Sequence, residues 1–264
     1  MLRLRTLFPL LCLLSALFIS PLAYARDGYD SVSWKNLVRT LVRFNAINLA
    51  SPEFLKEYAI VTECDLYQAY YNDEFKWNRV LMAIKDSVEA NKNSFPQNYD
   101  LDVRMQLDRY DFEDKRFRFT PKTALSKVNT FSLFEARNEE CGYDQVVLLP
   151  RAFRAVIPSV LYLEGVPLSE SEAQALLSRM KAANNADRSV YARYKFRIVY
   201  VEPLRRVQDI SQTNAASSRR EKASIAERNA RLDAVLDSIE FYEDIDMTKL
   251  FYRYKPDGQK AKPL

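Results

Sequence analysis

The clearest hydrophobic pattern in this chain is an alternation of apolar and polar positions across residues 189–201, SVYARYKFRIVYV. The apolar positions fall on one side of an extended chain: Ala192, Tyr194, Phe196, Ile198 and Tyr200. The basic positions fall on the other side: Arg193, Lys195 and Arg197. Alternation in β-branched and aromatic residues is typical of a half-buried strand. We therefore predict a long strand with one face on a core and a solvated basic face.

Helical spacing replaces this alternation in the N-terminal part of the chain. Residues 34–48 carry apolar side chains at helical spacing and predict a first helix that packs on the core. Ser51 and Pro52 are a typical helix start, and we expect this second helix to run to about Tyr71. Residues 72–74 either bend it or cap a further helix. The apolar stripe of that further helix consists of Trp77, Leu81, Ile84 and Val88.

Strand patterns follow the helices. Residues 101–107 alternate between apolar and polar, and residues 117–119 resume the alternation after the polar run EDKR. Two short strands joined by a polar turn predict a hairpin. Further strand candidates are residues 130–135, 145–149 and 151–157.

The C-terminal part combines a helix start with charged and short apolar segments. Ser169 and Glu172 form a capping-box pattern, which predicts a helix. Residues 219–237 predict a charged helix, and residues 238–242 and 248–254 predict two edge strands. Together the patterns predict an α+β fold class: N-terminal helices followed by a mostly antiparallel sheet with a helix packed on it.

The first 25 residues have the features of a cleaved export signal. Two arginines precede an apolar run, and Ala23-Tyr24-Ala25 matches a small-x-small cleavage site, so the mature chain is expected to start at Arg26. An uncleaved anchor helix is an alternative, but the run is short for a membrane span. A lipoprotein through Cys12 is another, but that cysteine lies inside the apolar run. We expect a periplasmic or secreted bacterial protein without a transmembrane span after cleavage.

The mature chain is long enough for one large domain. We predict a single domain over residues 26–254, with a flexible segment near 211–218 and a mobile tail at 255–264. Removing the two signal arginines lowers the 39 lysines and arginines to 37, against 35 acidic residues. This balance argues against a nucleic-acid partner, which requires clustered positive charge.

Two absences in the sequence restrict the possible chemistry. The chain contains no histidine, which excludes Ser-His-Asp and Cys-His catalysis and histidine-based metal sites. It contains four glycines, none close enough to another to form a glycine-rich phosphate loop. We expect no cofactor and no metal, and we interpret the acidic run 243–246 as an exposed turn.

The mature chain retains two cysteines, Cys64 and Cys141. In an oxidising compartment an isolated pair is more often bonded than free, so we predict a disulfide between them. Two unrelated buried thiols are the alternative. Their separation does not match the Cys-x-x-Cys spacing of a redox-active pair.

The densest group of aromatic and acidic residues lies between Cys64 and Trp77, CDLYQAYYNDEFKW. We define an aromatic patch here as a possible binding surface: Tyr67, Tyr70, Tyr71, Asp73, Glu74 and Trp77. Its rings, with Phe75, could stack a sugar or a partner peptide, although aromatic residues at helical spacing are more often core. Asp73 and Glu74 could act as acid and base, but adjacent carboxylates point to different helix faces. A second carboxylate would then have to come from elsewhere, for example Asp111 or Glu113.

Four segments resemble a known family: CDLYQAYYNDEFKWNRV, RYDFEDKRFRF, GVPLSESEAQALL and SIEFYEDIDMTKLFYRY. They are similar to an uncharacterised family of exported bacterial proteins classed as a domain of unknown function. The resemblance implies export and a single domain, and it implies no activity and no catalytic residues.

The sequence favours an exported envelope protein that is a non-enzymatic binding or structural module, with an envelope protein or a glycan as partner. The alternative is a glycan-directed hydrolase with paired carboxylates. A third hypothesis is a membrane-associated accessory protein that uses the basic row Arg193, Lys195 and Arg197. The sequence identifies no catalytic residue.

Overall fold

The computed structural model describes residues 28–204 and 229–256. Within these ranges it contains helices at the N-terminal side and one curled, mostly antiparallel sheet, which confirms the α+β prediction. The predicted export signal, the segment near 211–218 and the tail from residue 257 lie outside the described residues. No helix of the described ranges has both the length and the apolar content needed to cross a membrane.

Capping residues in the sequence explain where three of the helices begin. The helices are α1 (Trp34–Arg43), α2 (Pro52–Thr62), α3 (Cys64–Tyr70), α4 (Glu74–Asn91) and α5 (Glu170–Ala182), with a short 3-10 turn at Lys92–Ser94. Ser33 caps α1 and Asp73 caps α4 through side-chain hydrogen bonds to backbone amides. The predicted capping box of Ser169 and Glu172 is formed at the start of α5.

The strands are β1 (Asp30–Ser31), β2 (Asn98–Asp111), β3 (Arg116–Phe119), β4 (Leu125–Glu135), β5 (Ala152–Leu163), β6 (Gly165–Pro167), β7 (Ser189–Val201), β8 (Asn229–Tyr242) and β9 (Leu250–Tyr254). Their order in the sheet is β4-β5-β8-β7-β2-β3-β6, with β1 paired to β2 and β9 paired to β8. The β5–β8 and β1–β2 pairs are parallel, and the other pairs are antiparallel. The predicted hairpin is the β2–β3 pair.

The predicted long strand is β7, with the bounds that the alternation indicated. Ala192, Tyr194, Phe196 and Ile198 are buried. Tyr200 is 51% exposed, contrary to the prediction, because the register between β7 and β8 shifts just before it. An irregularity of this kind changes the face on which the following side chains lie.

Four further expectations about secondary structure are wrong. The described part of the predicted charged helix 219–237 belongs to β8, and residues 238–242 continue this interior strand rather than form an edge. Residues 145–149 form no strand. The second helix ends at Thr62 because Glu63 leaves helical geometry (φ −131°, ψ 55°) before α3 begins.

The core lies inside the curl of the sheet and continues under the N-terminal helices. Phe131 of β4 reaches across to Tyr194 of β7, with ring centroids 5.5 Å apart. Tyr99 of β2 is fully buried and donates a hydrogen bond to the Asn36 carbonyl of α1. The Trp34 indole of α1 donates to the buried Pro150 carbonyl, 3.0 Å away. The contacts of Tyr99 and Trp34 join α1 to β2 of the sheet and to the irregular segment that contains Pro150.

Candidate functional site

The inner half of the aromatic patch is a ring cluster at the junction of α3 and α4. Tyr67 lies 4.7 Å from Tyr71 and 5.8 Å from Trp77, measured between ring centroids. Trp77 is 7% exposed and belongs to the core, as aromatic residues at helical spacing usually do. Trp77 is therefore a support for the patch and no part of its surface.

The outer half of the patch is accessible. Tyr70 and Tyr71 are 37% and 39% exposed, and Phe75 in the first turn of α4 is 83% exposed. We call these three residues the tip surface. Leu66 of α3 and Met82 of α4 are also exposed large apolar residues. Contiguous exposed apolar groups on a folded protein commonly mark an interaction site.

Asp73, one of the two carboxylates of the patch, has structural contacts with Lys76. Asp73 accepts a hydrogen bond from the Lys76 amide (3.0 Å) and forms an ion pair with the Lys76 ammonium (3.0 Å). The amide hydrogen bond lowers the pKa of Asp73, which keeps this carboxylate ionised. Glu74 is exposed in the first turn of α4.

Asp111, one of the carboxylates considered as a catalytic partner, organises the β2–β3 turn. It accepts from the amides of Glu113 and Asp114 and from both Arg118 nitrogens that face it. The Asp114 amide and Arg118 lower the pKa of Asp111. A glycosidase acid requires the opposite shift, because it must carry a proton near neutral pH.

The patch is joined to a long irregular segment, residues 136–151, which we call the docked loop. Cys64 at the start of α3 is disulfide-bonded to Cys141 in this loop, as predicted. Gly142 follows with φ +72° and lies so close to α2 that an added Cβ would be 1.9 Å from the Ile60 side chain. Only glycine adopts this conformation without strain at such a close approach. Both features hold the loop directly against the helices.

Glu57 of α2 accepts hydrogen bonds from backbone amides of the docked loop, a role that a neighbouring strand has in a sheet. Glu57 is 5% exposed, and its carboxylate accepts from three consecutive backbone amides: Val147 at 3.0 Å, Leu148 at 2.8 Å and Leu149 at 2.9 Å. Burial raises the pKa of the Glu57 carboxyl, although these amides and Arg151 favour its charged form. Buried amides need acceptors, and a side chain supplies them here.

A groove with a volume of about 340 Å³ runs along α4, between this helix and the elements α1, α2 and α3. The α4 side is mainly apolar and includes Val80, Ile84 and Val88. The opposite side carries one ion pair, between Arg39 of α1 and Glu63, with 3.1 Å between Nη2 and Oε1. Ligand sites typically have this combination of apolar walls and few polar groups.

The basic row of β7 is an ion-pair layer rather than a solvated face. Arg193 binds Asp102 of β2 through two hydrogen bonds of 2.8 and 2.9 Å. Lys195 lies 3.2 Å from the buried carboxylate of Glu240 on β8. Arg197 is the exposed member of the row. The prediction of a solvated face fails for Arg193 and Lys195 because acidic residues of two neighbouring strands lie beside them.

Two carboxylates of the acidic run 243–246, those of Glu243 and Asp244, have partners within the protein. The Asp244 carboxylate accepts from the amides of Thr248 and Lys249, and Glu243 pairs with Arg179 of α5. Over the described ranges there is no cluster of three or more potential metal ligands of the Cys, Asp or Glu type.

Comparison with known proteins gives one match. Residues 53–179 match the family described as domain of unknown function DUF4852. The match covers 127 of the 264 residues of the chain. The family segment runs from α2 into α5 and includes the aromatic patch, the disulfide and the docked loop. No curated protein and no solved structure matches the chain.

Sequence reasoning identified the patch but missed two residues, Glu57 and Arg39. Glu57 gave a weak signal, since it is an acidic residue surrounded by apolar ones in the helix PEFLKEYAIVT. Arg39 gave none, because its contacts with Glu63 and Phe95 join segments far apart in the sequence.

Proposed function

We propose that this protein is exported to the bacterial envelope and acts there as a non-catalytic binding module. Its partner is an envelope protein, and the tip surface of the α3–α4 hairpin, formed by Tyr70, Tyr71 and Phe75, makes the contact. The observation that carries this proposal is the 83% exposure of Phe75, together with the exposure of Tyr70 and Tyr71 within the five preceding residues. Aromatic residues are enriched among the side chains that dominate protein–protein binding energy.

The support beneath the tip surface favours binding with little loss of conformational freedom. Tyr67 and Trp77 pack behind the tip, Asp73 caps α4, and the disulfide at Cys64 fixes the start of α3. A surface that is rigid before binding loses less entropy when its partner docks.

A protein fits this surface better than a glycan does. Phe75 and Met82 lie seven residues apart on α4, on the same side of the helix, and both are exposed. Neither side chain can form the conventional hydrogen bonds that a sugar requires, whereas phenylalanine and methionine are enriched at protein interfaces.

The disulfide supports export, because such bonds persist mainly in oxidising compartments. The hydrolase alternative has less support, since the lowered pKa values of Asp73 and Asp111 suit structural anions rather than a proton donor. The basic row has little free charge for lipid, since two of its three members are in ion pairs.

A site-specific photocrosslinking experiment tests the binding proposal. The protein is expressed with its own N-terminal segment, and a photoreactive phenylalanine analogue replaces Phe75. The same analogue at Phe112, which is 69% exposed in the β2–β3 turn, is the matched control. Irradiation of intact cells should give a discrete protein adduct from position 75 and none from position 112.

Two further measurements complete this test. Tyr70→Ser combined with Tyr71→Ser should remove the adduct, while circular dichroism shows that the variant is folded. The intact mass of the protein recovered from the envelope fraction should correspond to a chain that begins at Arg26. Identical adducts from both positions, or an adduct that survives the double substitution, would contradict the assigned surface. Recovery of the protein only in the cytoplasm would contradict export.

A further inference from the structure

Strand β9 has an open edge. It pairs with β8 along one side, and no strand within residues 28–204 or 229–256 pairs with it along the other. Three of its five residues are aromatic, and all five are half-buried. An open edge presents backbone donors and acceptors without strand partners, so it is a ready place for a further strand.

A groove with a volume of about 290 Å³ lies beside the first residues of β9. We call it the α5 groove, because α5 forms one wall while Leu250 and Phe251 of β9 contribute to the other. Leu168 and Leu176 line it with buried apolar side chains. An extended segment that adds to a sheet edge gains affinity from main-chain hydrogen bonds and specificity from such a pocket for its side chains.

The charged groups that line the α5 groove, among the described residues, are two carboxylates and one guanidinium. Arg179 and Glu243 form an ion pair, with 2.7 Å between Nη2 and Oε1. Glu172 accepts instead from the hydroxyl and the amide of Ser169, and these hydrogen bonds lower its pKa, so it stays ionised. One negative charge of the groove is therefore not balanced within the lining, which favours a segment with positive charge.

The residues that directly follow β9 have the sequence of a tight turn, KPDG at positions 255–258. Proline is favoured at the second position of a type I turn and glycine at the fourth. A type I turn followed by a glycine with positive φ commonly joins two antiparallel strands. Pro256 is a turn residue in the structure. The sequence therefore predicts that the chain reverses direction after β9.

A turn of this kind also determines which residues lie opposite each other. Residues 255 and 259 flank the three-residue loop, and the two strands then advance one residue at a time. Five steps, from 255 to 250 and from 259 to 264, place Leu264 opposite Leu250, which lines the α5 groove. Residues 257–264 carry two lysines and one aspartate, so they have the positive charge that the groove favours.

We propose that residues 257–264 pair with the open edge of β9 as an antiparallel strand and place Leu264 in the α5 groove. The added strand supplies backbone partners to β9 and prevents this aromatic edge from pairing with another chain. Gly258 permits the reversal, because it adopts a positive φ without strain. This inference replaces the expectation of a mobile tail, and it does not depend on the tip surface.

Hydrogen exchange of the mature protein, followed by NMR, tests the pairing. Gly258→Val puts a β-branched residue where the turn requires a positive φ, and it should speed exchange of the β9 amides that face away from β8 at least about tenfold. Ala261→Val adds the same side chain inside the paired segment, where a strand tolerates it, and should change exchange less than about twofold. Circular dichroism establishes that both variants are folded. Equal exchange of these amides in the two variants would overturn the proposal.

Methyl NMR of the full mature chain locates Leu264. We expect nuclear Overhauser contacts from its methyl groups to those of Leu250 or Leu176. Leu264→Ser should speed exchange of the same β9 amides at least about threefold, whereas Leu264→Met, which keeps a large apolar side chain, should stay within about twofold. Absence of every contact between Leu264 and the α5 groove would overturn the proposal. Protection of β9 that appears only at high protein concentration, together with a dimer, would do so as well, because it would assign the edge to a second copy of the chain.

Discussion

Glu57 gives the most direct test of how the helices and the docked loop hold each other. We consider the substitution Glu57→Gln, which conserves the size and shape of the side chain. The carboxylate accepts from the amides of Val147, Leu148 and Leu149. A glutamine can present its oxygen to the pair of amides at Oε2, but its amino group then faces the Val147 amide. One buried hydrogen bond is lost, and two donors face each other.

The size of the effect follows from these contacts. A hydrogen bond to a charged acceptor contributes about 1.5–3 kcal/mol, and a buried donor without a partner costs about 1–3 kcal/mol. The amides of Leu148 and Leu149 keep an acceptor, although without its negative charge. We therefore expect Glu57→Gln to lower the free energy of unfolding by about 2–3 kcal/mol. For a chain of this size that corresponds to a decrease in Tm of roughly 4–12 °C.

Urea denaturation followed by circular dichroism measures this change. The matched control is Glu89→Gln on the exposed side of α4, for which we expect a change within about 0.5 kcal/mol. Hydrogen exchange should also show faster exchange of the amides of residues 147–149 in Glu57→Gln. An unfolding free energy equal to that of the unsubstituted protein would refute the assigned role of Glu57.

The raised pKa of Glu57 adds a pH dependence with a defined sign. Burial raises the folded-state pKa above the unfolded value, so the folded state binds this proton more tightly. The part of the stability that is linked to this proton is therefore complete below the unfolded pKa of Glu57 and is lost as pH rises through its folded pKa. The difference in unfolding free energy between the unsubstituted protein and Glu57→Gln should widen as pH falls from 7 toward about 4.5. A difference that narrows as pH falls would show that the three amides lower the pKa of Glu57 by more than burial raises it.

Three more predictions concern the loop, the ion-pair layer and the disulfide. Gly142→Ala should lower the free energy of unfolding in urea by about 2–3 kcal/mol, because the added Cβ would meet α2. Gly28 also has a positive φ but has open space around it, so Gly28→Ala should cost about 1 kcal/mol. Equal costs for the two substitutions would contradict the assigned close approach of Gly142 to α2. Burial opposes ionisation of Glu240, but a tyrosine hydroxyl and two cations lower its pKa. Glu240→Gln should therefore cost about 2–3 kcal/mol at pH 7, and the difference should disappear as pH falls through the lowered pKa; a difference that persists in acid would argue against the ion pairs. The intact mass of the mature protein should rise by two hydrogens on reduction of Cys64–Cys141, and loss of this 77-residue link should cost at most roughly 4–5 kcal/mol; two free thiols in unreduced protein would rule the bond out.

The sequence predicted local structure well where one pattern had a single interpretation. The alternation in 189–201 can fit only a strand, and β7 has the predicted bounds. The capping box at Ser169 and the polar turn before Arg116 also led to the observed helix and hairpin. In each case the signal depends on residues close together in the chain, so no distant partner was needed to interpret it.

The pattern of β8 had two interpretations, and the wrong one was chosen. Leu232 and Leu236 are four residues apart, a spacing that places side chains on one side of a helix and also on one face of a strand. The position between β5 and β7 decides the outcome, since β8 pairs with both. Residues 145–149 were predicted as a strand but form none. The Glu57 carboxylate accepts from amides in this segment that a neighbouring strand would otherwise bind.

The candidate sites also differ in how much of each could be predicted from local sequence. The sequence located the aromatic patch and the cysteine pair, since both are matters of residue type and spacing. It could not separate buried Trp77 from exposed Phe75, because exposure depends on which helix face meets the rest of the protein. It could not find the groove, whose lining comes from α1, α2, α3 and α4.

The sequence by itself determined the fold class, most of the helix and strand starts and the position of the cysteine pair, because propensity, capping and alternation act over a few residues. Only the tertiary structure decided the strand state of β8, the pairing of Arg193 and Lys195, the role of Glu57 and the shape of the groove. These features depend on contacts between segments tens of residues apart or more. Such contacts are set by the packing of the whole chain and leave no regular spacing in the sequence.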